Sequence, residues 1–297
     1  MKKNRLLFAY IIGLAFLLNG CILDQPEPHG NRTEKGKQIY DAWNFSMNQT
    51  LQKFVNVAFH FNYWHDAAPT IQTAIEDSLF ADYKIRLESD GSWGLYDGSV
   101  LTYKIVRNNQ SLADAGAVWS VFYYANSTEE LLYYYPYNFS SFMDDSVEVT
   151  IENTTGRKWL VTMSENTNPN SSLNLEISTT SVLMPSGIDN EDISFTGNGC
   201  FRFNEVIFEY EEDDADTPTY NFIEFNIESP LIVRDVTYSK ILWNAGVLNL
   251  KAFNLNNDQI EVKVQFFAPD HQYNTIQITY KGITESYNDE SEEDEWY

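Results

Sequence analysis

Positive charge is scarce in this chain: 19 lysines and arginines stand against 43 aspartates and glutamates in 297 residues, a formal net charge of −24. That balance argues against a nucleic-acid partner, because phosphate binding rests on lysine and arginine displacing condensed cations. An anionic membrane surface would repel the chain for the same reason, whereas divalent cations, basic proteins and neutral glycans remain electrostatically compatible. Cysteine is nearly absent too, with only Cys21 and Cys200. There is no G-x-S-x-G elbow, P-loop, dinucleotide-binding glycine fingerprint, H-E-x-x-H or C-x-x-C pair. Mechanisms that need a local motif are thereby set aside, and hydrolases whose groups meet only in the fold stay open.

Apolar residues are plentiful, at 43% with 15% aromatic, so the chain buries enough surface to offset its ordering entropy and folds. Its length suits one large all-β unit or two smaller ones. Only one run is long and continuously apolar, LLFAYIIGLAFLL at 6–18, preceded by Lys2, Lys3 and Arg5. It has the length of a signal-peptide core and is short for a bilayer span. It ends in Leu18-Asn19-Gly20-Cys21, which resembles the lipobox of bacterial lipoproteins, where cleavage precedes a lipidated cysteine. The resemblance implies acylation of Cys21, and two or more chains hold a protein on a membrane where one binds reversibly. Ile22 just after the cysteine implies onward sorting to an outer membrane in a Gram-negative host. A lipidated Cys21 cannot pair with Cys200, which is then expected to be a small buried apolar residue.

Residues 1–20 thus read as a signal peptide and 21–32, with Pro26, Pro28 and Gly30, as a tether. Ile39, Trp43, Met47, Leu51, Phe54, Val55 and Ala58 recur every three or four residues and predict a long amphipathic helix. A second helix is predicted over about 67–80, capped by Asp66, so that 33–80 forms a helical segment. From 82 onward the period becomes two. Tyr83-Ile85-Leu87, the Asp90-Gly91 turn and Trp93-Leu95 form a hairpin, and similar alternation recurs at 101–105, 147–151, 159–163, 173–177, 223–227, 260–266 and 276–280. Polar residues between the apolar ones favour antiparallel sheets with one wet face. The expected fold is mainly β: a large antiparallel region at 81–287, sandwich or extended meander, after the helical segment. Pro185, Gly187, Gly197 and Gly199 mark a possible subdivision near 180–200, and 288–297 is an acidic tail. Trp93, Trp119 and Trp159, each followed at two residues by Leu or Val, have no even spacing and read as ordinary sheet packing.

Few residues invite chemistry. His60 and His65 with Asp66 suggest zinc, but five residues of separation turn the two imidazoles onto different faces, and helix-end histidines among aromatics are the expectation. The acids at 209–216 and 289–295 lack the alternating ligands and central glycine of a calcium loop and read as solvated. No metal, no cofactor and no catalytic residue is assigned. The densest unusual feature is Tyr133-Tyr134-Tyr135-Pro136-Tyr137-Asn138-Phe139. Aromatic faces stack on sugars and anchor interfaces, so Tyr133, Tyr134, Tyr135, Tyr137 and Phe139 are the candidate contacts. Asp77-Ser78-Leu79 and Asp145-Ser146-Val147 resemble the O-glycosylation sequon of envelope proteins in Bacteroidota. With the leader, the acidic Tyr- and Asn-rich composition and the β-rich body, the chain resembles envelope lipoproteins of that phylum. The expectation is a membrane-anchored, non-enzymatic binding or scaffold protein whose partners are membrane lipid through Cys21 and a glycan or envelope protein. The rival is a surface hydrolase of polysaccharide or peptide.

Overall fold

A computed structural model of the chain describes residues 30–124, 148–164, 171–181, 185, 187–188, 193–203, 220–237, 240–254, 259–267 and 274–289. The helical period at 39–58 is realised as α1 (Gly30–Thr50), a π-helical stretch (Leu51–Asn56) and α2 (Val57–Asp66). Ile39, Trp43, Leu51, Phe54, Val55 and Ala58 are fully buried. Two hydroxyls precede the π turn: Ser46 Oγ donates to Ala42 O (2.7 Å) and Thr50 Oγ1 to Ser46 O (2.9 Å). Such back-bonding competes with the helix's own N–H groups for the same carbonyls and loosens the ladder where its register widens. A further helix, α3 (Pro69–Leu79), starts differently from the sequence expectation. Its N-cap is Ala68, with Pro69 at the first turn, where a missing N–H costs nothing. Asp66 instead faces Asn62, His65 and Ser111.

Among the described residues thirteen strands follow, each paired antiparallel with the next in chain order: β1 (Tyr83–Leu87), β2 (Trp93–Asp97), β3 (Val100–Arg107), β4 (Val118–Tyr123), β5 (Glu148–Asn153), β6 (Lys158–Ser164), β7 (Ser172–Thr179), β8 (Ile193–Arg202), β9 (Tyr220–Thr237), β10 (Lys240–Asn254), β11 (Gln259–Phe267), β12 (Asn274–Tyr280) and β13 (Ile283–Asp289). The fold is an extended meander, mainly β, and no ladder joins β1 to β13 among the described residues. The predicted Asp90-Gly91 turn joins β1 to β2, with Gly91 at φ +84°, where only glycine is unstrained. Hydrogen bonds from Lys104 and Ser92 hold the Asp90 carboxyl well below the usual carboxylate range.

The meander's inner face packs along the helix. Near the helix start Tyr40 meets Phe266, and Trp43 meets Phe225 and Trp243. Further along, Phe54 meets Tyr123, Phe59 meets Trp159, Phe61 meets Trp119 and Trp64 meets Trp93. The C-terminal strands therefore cover the first half of the helix and the N-terminal strands its second half. Trp119 and Trp159 are fully buried on this face, and the Leu or Val two residues beyond each tryptophan is buried with them.

Because the helix is enclosed, its polar residues need internal partners. Asn44 Oδ1 accepts from Trp243 Nε1 (3.0 Å), Asn56 Oδ1 from the Ile188 N–H (2.8 Å) and Asn62 Oδ1 from the Leu112 N–H (2.7 Å). The Leu112 carbonyl in turn accepts from Trp159 Nε1 (2.9 Å) and Asn153 Nδ2 (2.5 Å). Gly197 and Gly199, which the sequence places at a possible subdivision, lie inside β8 and pair with β7.

Candidate functional site

Cys21 and the aromatic candidates Tyr133, Tyr134, Tyr135, Tyr137 and Phe139 lie outside the described residues, as do the acids at 209–216 and Asp145-Ser146-Val147. His60 packs edge-on to Phe80, while His65 sits among Phe61, Trp64 and Trp93, so the two imidazoles have separate aromatic surroundings. Cys200 is half-buried rather than buried, on β8 with its Sγ 3.3 Å from Ser172 Oγ. Ser78 lies in the last turn of α3, and its Oγ donates to the Ala74 carbonyl (2.9 Å).

Folding brings His65, Asp66 and Ser111 together, a trio whose residue types match a hydrolytic triad. Its wiring does not. A nucleophilic serine passes its proton to imidazole, and the carboxylate braces the imidazole from its other nitrogen. Here Ser111 Oγ donates to Asp66 Oδ2 (2.5 Å), and His65 Nδ1 lies 3.2 Å from Asp66 Oδ1 and 3.3 Å from Arg107 Nη1. The carboxylate thus separates hydroxyl from imidazole. With Asn62, the group ties the β3–β4 loop to the end of α2, which is a structural task.

Lys53 occupies the π-helical stretch with its ammonium 4.7 Å from the centre of the Tyr123 ring. Tyr103 lies 5.1 Å from Tyr123 and 5.8 Å from Tyr83. Burial lowers the Lys53 pKa to about 8 and pushes the Tyr103 phenol well above its ordinary value. Among the described residues no carboxylate pairs with this ammonium, and cation–π attraction to Tyr123 offsets part of the cost of its burial. The lowered pKa means that the native state resists protonation more than the unfolded chain does. Its penalty is fully present below about pH 8 and fades as pH rises toward 10.5. Lys53→Met is therefore expected to stabilise the protein by about 1–2 kcal/mol at pH 7. Denaturant titrations should show that gain shrinking at pH 9.5, and a constant gain would refute a charge origin.

The sheet's outer face holds the arrangement with most potential for recognition. The register pairs Asn174 of β7 with Asn198 of β8, Asn198 with Asn226 of β9, and Asn226 with Asn249 of β10. The same row continues through Thr162 to Thr150 on one side and through Lys263 to Thr279 and Thr284 on the other. Asn174, Asn198 and Asn226 are exposed, and among the described residues their side-chain amides make no hydrogen bond. Asn249 donates to Glu228 Oε2 (3.0 Å), which also accepts from Lys263 Nζ (2.8 Å). No protein-family model, curated protein or solved structure matches the chain.

Asparagine is disfavoured in strands, because its amide competes for the backbone and its side chain packs poorly on a pleat. Four in register on neighbouring strands are thus a local cost that the sheet's own packing does not explain. Each open amide offers two donors and one acceptor to whatever approaches the face. Sequence reasoning missed the row because each asparagine occurs alone, as Leu173-Asn174-Leu175, Gly197-Asn198-Gly199, Phe225-Asn226-Ile227 and Leu248-Asn249-Leu250. The recurring signal is an asparagine flanked by inward-facing positions, and only the register aligns the four.

Proposed function

We propose that the chain is an envelope lipoprotein, anchored in an outer membrane by acyl chains on Cys21, whose β body binds or scaffolds a glycan or an envelope protein without turning it over. The observation that carries the binding reading is the row of open amides on the outer sheet face. Asn174, Asn198 and Asn226 supply amides with no hydrogen bond among the described residues, while the trio best suited to hydrolysis is wired for structure. Support for the anchor comes from the basic start, the apolar run at 6–18 and Gly20-Cys21. No helix among the described residues is long and apolar enough to cross a membrane.

Growth on radiolabelled palmitate tests the anchor. Label is expected in the full chain and absent from Cys21→Ser, which should also shift from the membrane fraction to the aqueous one. Two or more chains at about 0.8 kcal/mol per buried methylene leave essentially no free protein, so the shift should be near complete. An unlabelled chain, or a serine variant that fractionates unchanged, would remove the reading.

A further inference from the structure

The amide row has a direction, a length and a charge, and each narrows its ligand. Neighbouring strands lie about 4.8 Å apart, so Asn174 to Asn249 spans about 14 Å, and Thr150 to Lys263 about 29 Å, across the strands. Such a track matches a chain with repeating polar groups and is longer than a single small molecule needs. Its central members are uncharged, while the molecule as a whole carries −24. An anionic polymer would be repelled, and a cation would find amides where it needs carboxylates. A protein partner would be held by aromatic or arginine anchors at the centre of its footprint, and asparagine and threonine are not such anchors. Sugar hydroxyls donate and accept at once, as a primary amide does, and an uncharged glycan incurs no repulsion.

We propose that the outer-face row binds an extended, uncharged glycan lying across the strands, with successive sugars hydrogen-bonded to the amides of Asn174, Asn198 and Asn226. This rests on the reading of the β body as a binding module and adds the class of ligand and the residues that hold it. Single hydrogen bonds in water contribute little, so affinity accumulates along the chain of sugars and short fragments bind poorly.

The test uses the full lipidated protein in detergent micelles, titrated calorimetrically with hexasaccharides of β-1,4-linked glucose, mannose, xylose and N-acetylglucosamine, with the matching disaccharides, and with hexagalacturonate as the charged probe. At least one neutral hexasaccharide is expected to bind at least tenfold more tightly than its disaccharide, and hexagalacturonate not at all. The triple variant N174A/N198A/N226A should lose about a hundredfold in affinity, roughly fivefold per amide, with its melting temperature unchanged. Gln265→Ala, exposed on the same face outside the row, should bind as wild type. Failure of all four neutral hexasaccharides, equal binding of hexagalacturonate, or undiminished binding by the triple variant would overturn the proposal. So would loss of binding in Y134A/Y135A/Y137A alone, which would move the contact to the aromatic segment. Cys21→Ser titrated in parallel should bind the glycan normally, so the anchor and the row can fail separately.

Discussion

Truncation of Trp243 to alanine is expected to lower the unfolding free energy by about 4–5 kcal/mol, the upper end of the range for a buried aromatic. The ring is 1% exposed and packs at right angles to Phe195, 5.4 Å between centres, with Trp43 and Phe266 on other sides. Removing it leaves a void between helix and sheet and deprives the buried Asn44 Oδ1 of the indole N–H. The two contributions separate by conservative change. Trp243→Phe retains most of the volume and loses the hydrogen bond, at a cost of about 1–3 kcal/mol for a buried acceptor left unmet. Trp43 provides the contrast, since its Nε1 is buried without a partner among the described residues. Trp43→Phe removes a donor that meets no acceptor among the described residues, so the gain from that removal offsets part of the lost packing and the net change should be under about 1 kcal/mol. Urea titrations with a common slope would rank the three variants. Equal costs for the two phenylalanine variants would show that packing alone governs this core and that the Asn44 bond adds nothing.

Trp243 also shows why part of the sheet was hidden in the sequence. Where strands alternate without interruption, as in Ile260-Val262-Val264-Phe266, residue order alone reveals the inner face, and β11 follows it position by position. In β10 the inner residues are Trp243 and then Leu248, Leu250 and Ala252, so the phase changes from odd to even. The pairing with β9 shifts register several times between Leu242 and Leu248, and those bulges erase the period that a sequence reading depends on. β13 is obscured differently: an edge strand with Ile283, Glu285 and Tyr287 on one side has little apolar contrast. The helix was legible because seven apolar residues kept one spacing across α1, the π stretch and α2. The start of α3 was less so, since Asp66 has the chemistry of an N-cap while Pro69, three residues on, fixed the start at Ala68. The amide row was beyond reach for a plainer reason: it is a property of strand register, and its members are separated by 24, 28 and 23 residues of chain, the differences between positions 174, 198, 226 and 249.

The register that aligns the row depends on glycine, and Gly197→Ala is expected to cost about 3 kcal/mol or more. Gly197 holds φ +129°, which L side chains rarely adopt, and a methyl there would run into the backbone carbonyl of Asn174 and lie 3.0 Å from Leu175 Cα. Neither obstacle is a flexible side chain, so strand β7 itself would have to move. On the other side of Asn198, a methyl on Gly199 would meet the Ser172 carbonyl and the Phe225 ring. That backbone carries no positive φ, so a smaller loss of about 2 kcal/mol is expected. Two glycines thus let β8 lie against β7 at the point where Asn174 and Asn198 stand side by side. In Gly197→Ala, amide hydrogens of β7 and β8 should exchange faster than in the wild type, and affinity for the proposed glycan should fall together with stability. The asparagine-to-alanine variants differ in kind, because they remove the proposed binding groups while leaving the strands where they are. A Gly197→Ala protein with an unchanged denaturation midpoint would mean that β7 and β8 do not approach so closely, and the alignment of the amides would lose its physical basis.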